Sequence, residues 1–254
     1  MDSSDLSAAK DVLIDSALFD YESGMRFFYS ELVELNVILY LAERIIDFPF
    51  ELFSHPDKTI FFSTVMRSFH DSAVLIITRL ITDQSADVYT LRRFKNTVRE
   101  LVKPEFKSSF EARLRETRFD GEVDALLKRL QELRNHRIAH ATRGLMSGNM
   151  QVSRPTLSEL KALRDALNSL LDALSFNTQC TMLPIPYDPN VVHPACSNDK
   201  TDIGDILDAI AKGSRLLNMP EDYPERWRIR REHLSEENIR RLNAYRRRFG
   251  LSDV

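Results

Sequence analysis

Glycine is scarce, with 7 in 254 residues. Few glycines and long periodic segments exclude a turn-rich β fold and favour an all-helical one. No Gly-rich phosphate loop, no GxSxG elbow and no dinucleotide fingerprint occurs, which removes the commonest nucleotide and acyl-transfer chemistries. Cysteine is nearly missing too. Cys180 and Cys196 stand in a chain whose start, MDSSDLSAAKDVL, lacks the basic and apolar regions of a secretion signal, so reduced thiols in a cytoplasmic protein are expected. Long hydrophobic runs are also lacking. The most apolar one, LVELNVILYLAERII, is short and is broken by Glu34, Glu43 and Arg44, so no membrane partner is expected. A net charge of −3 argues against coating nucleic acid by global charge, so any nucleic-acid site must be local.

What is present is helical periodicity. Residues 20–47 carry Phe28, Leu32, Leu35, Leu39, Ala42 and Ile46 on one stripe, widened by Ile38, Leu41 and Ile45, and Pro49 ends the segment. Residues 57–82 repeat the spacing with Phe62, Met66, Phe69, Ala73, Ile76 and Leu80; His70, Asp71 and Arg79 leave that stripe. Arg79 and Asp83 are spaced to pair on the surface, which competes with a role for Arg79 in holding substrate. Two shorter charged helices are expected over 90–117, split at Pro104. The spacing predicts a helix over 120–143, with Asp120 as N-cap, Gly144 as stop and a stripe of Val123, Leu126, Leu127, Leu130 and Leu133. After a loop over 144–155, Thr156 and Glu159 form a capping box for a helix that buries Leu160, Leu163, Leu167, Leu170, Leu171 and Leu174. The expected layout is a helical bundle over 1–177, a Pro-rich linker over 178–200 and a helical basic extension over 201–254, with a short helix at 202–217.

Residues 133–141, LRNHRIAHA, close the leucine-striped helix with an unusual set. His140 follows Leu133 by seven residues, so it continues the apolar stripe. Arg134 lies about 9 Å back along the axis and roughly 120° around it, so on one straight helix the two do not point at one spot. A local distortion of the helix, or a second copy packed across a two-fold axis, would let them converge. Histidine exchanges protons near neutral pH, and arginine grips phosphate oxygens with a fixed fork of donors. That pair suits RNA cleavage in which the 2′-hydroxyl is the nucleophile, with no metal or other cofactor required.

The string Arg134-Asn135-His136-Arg137-Ile138-Ala139-His140 resembles the signature of the HEPN superfamily (higher eukaryote and prokaryote nucleotide-binding domains). In that signature a polar residue often follows the arginine, and a histidine comes after four to six intervening residues. Arg129 to His136, and Arg226 or Arg228 to His233, also fit the spacing. Only Arg134 has Asn directly after it and ends a leucine-striped helix. The segment DSAVLIITRLITD is similar to the abortive-infection type U branch, a group of phage-defence proteins. The resemblance covers roughly residues 20–175. It implies a dimeric helical bundle acting as a metal-independent endoribonuclease in phage defence or as a toxin, with RNA as substrate and an antitoxin or other neutralising protein as partner. Paired motifs would meet at the dimer cleft, with Arg134 on phosphate, His140 as acid or base, Asn135 orienting, and His136, Arg137 and Arg79 holding RNA. Control by modification of a tyrosine just after the motif is not expected, because ATRGLMSGNM holds none.

Other chemistries compete. The reading in which these residues simply end a helix leaves a non-catalytic module that dimerises or binds RNA or protein. His136 and His140 have zinc-chelating spacing, but Arg137 would repel a cation. Cys180, His193 and Cys196 lack a fourth ligand and regular spacing. In the basic C-terminus, PERWRIRREH and IRRLNAYRRRFG interleave arginines with aromatics, as single-stranded nucleic-acid sites do, yet glutamates are mixed in. A salt-bridged helical arm packed on a partner subunit is the competing reading.

Overall fold

Long apolar stripes of helical period dominate the structure, a computed structural model that describes residues 8–53, 60–82, 89–117, 119–135, 153–176 and 202–254. Among the described residues the order is α1 (Ala9–Val12), a 3₁₀ turn (Asp15–Ala17), α2 (Leu18–Asp47), α3 (Phe50–Phe53), α4 (Ile60–Ile81) and α5 (Leu91–Leu101). A 3₁₀ turn (Pro104–Phe106), α6 (Lys107–Glu116), α7 (Phe119–Leu133), α8 (Leu157–Leu174), α9 (Asp202–Lys212), α10 (Arg215–Asp222), α11 (Pro224–Glu232) and α12 (Glu236–Arg248) follow. The described residues are all-α. The described residues contain no strand; a single antiparallel bridge joins Leu13 and Val102.

The chain divides into two compact units. Unit 1 is drawn from Met1–Tyr40 and Ser68–Val191, and unit 2 from Leu41–Arg67 and Val192–Val254. In unit 1 the stripes meet as expected. Phe28, Leu32, Leu35 and Leu39 of α2, Ala73, Ile77 and Leu80 of α4, and all six predicted leucines of α8 are buried in one cluster. By length and composition α4 is long and apolar enough to cross a membrane; its residues Ala73, Val74, Ile76, Ile77, Leu80 and Ile81 are buried in this core. Gly24 earns its place in mid-helix: a Cβ there would stand 2.6 Å from the ring of Phe94, which is buried and stacked on Tyr21. Tyr21 in turn donates from its hydroxyl to the carbonyl of Leu174 at 2.7 Å and ties α2 to the end of α8.

Unit 2 has its own core of Phe48, Leu52, Phe53, Leu207, Leu216, Leu217, Trp227 and Leu242, with Phe50, Phe62 and Tyr245 packed against it. Helix α12 ends in a Schellman motif. Gly250 takes φ +77°, the Gly250 N–H donates to the Arg247 carbonyl and the Leu251 N–H to that of Arg246.

Four local expectations are corrected. Ile46 is 54% exposed, and its neighbour Ile45 takes the buried position, so the buried face at the end of α2 is shifted by one residue from the expected stripe. Asp120 lies inside α7, where its carboxylate accepts from Lys95 Nζ at 2.8 and 2.9 Å rather than capping the helix. The segment 202–217 is two helices, α9 and the start of α10; the Ser214 hydroxyl caps the second by accepting from Leu216 N–H. Arg246 is not part of an open basic face, because its side chain is fully buried. The linker over 178–200, Gly144, Cys180, His193 and Cys196 lie outside the described residues.

Candidate functional site

Helix α7 buries Val123, Leu130 and Leu133 in the unit 1 core, so the residues that follow Leu133 are carried on a firmly seated helix. At Arg134 and Asn135 the winding passes from α to π. π winding is rare and occurs mostly as single-turn bulges, frequently at functional sites. Arg134 is half-buried and Asn135 exposed. Their position at the carboxyl end of α7 favours a cation, through the helix dipole. His136, Arg137 and His140 lie outside the described residues.

The partner helix α8 starts beside this end. Thr156 and Glu159 complete the predicted capping box: Thr156 N–H donates to Glu159 Oε2 at 2.6 Å, and Glu159 N–H donates to the Thr156 hydroxyl at 3.2 Å. Arg129, four residues before the end of α7, pairs with the same carboxylate. The hydrogen bond from Arg129, with help from the Thr156 backbone, holds the Glu159 carboxyl down to about 2. This contact joins the C-terminal part of α7 to the start of α8, with Arg134 five residues beyond Arg129 along the chain.

Helix α4 brings a second polar group to the start of α8. His70 Nε2 stands 2.9 Å from the Pro155 carbonyl. A carbonyl only accepts, so Nε2 carries the proton in this contact. His70 Nδ1 faces Asp71 Oδ1 at 3.5 Å, and Arg154 Nη2 reaches the same oxygen at 3.3 Å. The buried atoms His70 Nδ1, Asp71 Oδ1 and Arg154 Nε have no hydrogen-bond partner among the described residues. His70, Asp71 and Arg154 thus gather beside the start of α8, while Arg134 and Asn135 lie at the end of α7, whose Arg129 meets Glu159 of that same start. In the sequence His70 and Asp71 are legible only as departures from the α4 stripe. Arg154 had no local signal, because its partner is more than eighty residues away.

Arg79 is placed differently. It is 54% exposed and its guanidinium donates to Glu31 of α2; its expected partner Asp83 lies outside the described residues. Most unit 1 arginines are spoken for in the same way. Arg92, Arg99, Arg113, Arg129 and Arg164 each meet a carboxylate. Arg134 meets none among the described residues. Those residues also contain no group of three or more His, Cys, Asp or Glu side chains placed to hold a metal ion.

A family model described as AbiU2, of the HEPN class, matches residues 51–189, more than half of the chain. The match takes in α4 to α8, with His70, the Arg134–His140 segment and Arg154. No curated protein and no solved structure matches the chain.

Proposed function

The chain belongs to the AbiU2 family of the HEPN superfamily, the abortive-infection U branch, and on that premise we propose that it is a metal-independent endoribonuclease that cuts RNA in phage defence. The observation that carries the reading is Arg134. It sits at an α-to-π transition inside the family-matched span, followed by Asn135 and free of any carboxylate partner among the described residues. An unneutralised guanidinium at a helix end is suited to a phosphate oxygen.

In the proposed reaction the substrate 2′-oxygen bonds to phosphorus and the bond from phosphorus to the 5′-oxygen breaks. The 2′-hydroxyl proton leaves to an imidazole and the departing 5′-oxygen receives one. His140 serves both transfers through two copies of the motif brought together in a homodimer. Arg134 stabilises the charge that builds on the non-bridging oxygens, and Asn135 orients the phosphate or the imidazole. His136 and Arg137 contact the RNA backbone. The products are a 2′,3′-cyclic phosphate and a 5′-hydroxyl.

The test is incubation of the purified protein with end-labelled RNA in excess chelator. Cleavage that resists the chelator and leaves a cyclic phosphate end, and that is lost in Arg134→Ala and in His140→Ala, is the expected outcome. RNA that is bound but never cut, or cut equally by both variants, overturns the reading and leaves a non-catalytic module. Sedimentation of the same samples reads the dimer.

A further inference from the structure

The two basic helices of unit 2 differ in what their arginines hold. In α12, Arg240, Arg241, Arg246, Arg247 and Arg248 meet Glu237, Glu51, Glu221, Asp253 and Asp208 in turn. In α11, Arg226, Arg228, Arg230 and Arg231 are exposed, and none has a carboxylate partner among the described residues. Glu225 and Glu232 on the same helix are exposed as well and leave it a surplus of positive charge. The helix is anchored, since Trp227, the chain's single tryptophan, is 8% exposed and packs in the unit 2 core. The guanidiniums therefore project from a seated scaffold, with Arg226 and Arg231 about 7.5 Å apart along the axis.

Two more features narrow the ligand. Every Lys/Arg-type cation after Lys212 is an arginine, the side chain whose planar fork matches phosphate and stacks on flat rings. Tyr223, at the start of α11, is 49% exposed, and Arg226 lies over its ring with Cζ 5.7 Å from the centroid. A Tyr–Arg cation–π pair beside unneutralised guanidiniums is what a single strand engages, with a base on the exposed ring and phosphates on the forks.

We infer that Tyr223 and the exposed arginines of α11 form a binding surface for single-stranded RNA. The choice of RNA among polyanions rests on the proposed ribonuclease reading; the surface itself rests on the unpaired arginines.

The test uses the full chain and a fluorescein-labelled 2′-O-methyl single strand of mixed sequence, read by anisotropy across a salt series. The methyl group blocks the nucleophile, so binding is measured without cleavage. Each phosphate contact to a single strand contributes about −0.7 to the slope of log K against log salt. The double variant Arg228→Ala/Arg231→Ala should lower that slope by about 1.4. Tyr223→Ala should weaken binding about fivefold or more. The α12 control Arg240→Ala/Arg247→Ala should keep the wild-type slope, and Trp227 emission confirms that every variant is folded. An unchanged slope in the α11 variant, an equal loss in the α12 control, or binding to phosphatidylserine vesicles in place of RNA overturns the inference. A chain that binds through α11 yet cuts no RNA sinks the nuclease reading and supports this one; cleavage without α11-dependent binding does the reverse.

Discussion

Arg134 at the end of α7 and Arg246 near the end of α12 occupy similar places in sequence, each in the closing turns of an amphipathic helix, and meet opposite fates. Arg246 is fully buried. Its Nε donates to the Ser252 carbonyl at 2.6 Å, and its two terminal nitrogens donate to the Leu217 carbonyl and to both oxygens of Glu221. The guanidinium in return holds the Glu221 carboxyl below its usual range. Arg134 is half-buried, stands on π winding and has no carboxylate partner among the described residues. The first arginine has its donors taken up by a fold it helps to close; the second meets no carboxylate among the described residues. An arginine's helix and charge are thus uninformative until its acceptors are known.

The largest expected effect breaks the buried side of that comparison. Arg246→Ala removes a desolvated cation, strands the Leu217 and Ser252 carbonyls and leaves a hole beneath α12. A loss of about 4 kcal/mol in unfolding free energy is expected. Urea titration followed by Trp227 emission measures it, and a loss under about 1 kcal/mol would show that Arg246 is not the clamp of unit 2. Arg134→Ala should do the converse. Its stability should stay within about 0.5 kcal/mol of wild type, as for a surface substitution. Cleavage of RNA should fall at least about a hundredfold, or about 2.7 kcal/mol of lost transition-state stabilisation. If the variant is instead destabilised and still cuts RNA, Arg134 belongs with Arg246 as a structural group.

Local periodicity made much of the fold legible. The leucines of α8 are buried as their spacing requires, and its Thr156–Glu159 box forms with both reciprocal bonds, because each depends only on residues three or four positions apart. The breaks at Pro49 and Pro104 fall where a missing N–H demands them. What sequence could not show is long-range acceptance. Glu31 holds Arg79 across 48 positions and His70 meets Pro155 across 85. Lys95 draws Asp120 away from the cap its sequence position invites. The same limit applies to the site. The Arg134–Asn135 step was visible as a motif, whereas the His70–Asp71–Arg154 group, and the split of the basic C-terminus into a paired α12 and an unpaired α11, exist only once the helices are packed.

Glu159 offers the smallest and most graded test, since Arg129 is the intermediate case: paired, yet about a third exposed. The folded state holds the Glu159 carboxyl near 2, against 4.5 ordinarily, so the unfolded chain binds this proton first as acid is added. The stabilisation is therefore complete above about 4.5 and is lost as pH falls toward about 2. Glu159→Gln keeps a side chain that can still reach back to the Thr156 N–H, but it discards the charge that Arg129 meets. Wild type should melt above the variant at neutral pH, and the gap should narrow through that acid window. A gap that holds constant from neutral pH to the bottom of the window would mean that Arg129 gains nothing from the charge. The contact between the end of α7 and the start of α8 would then rest on packing and capping alone, and the Arg129–Glu159 ion pair would add nothing to it.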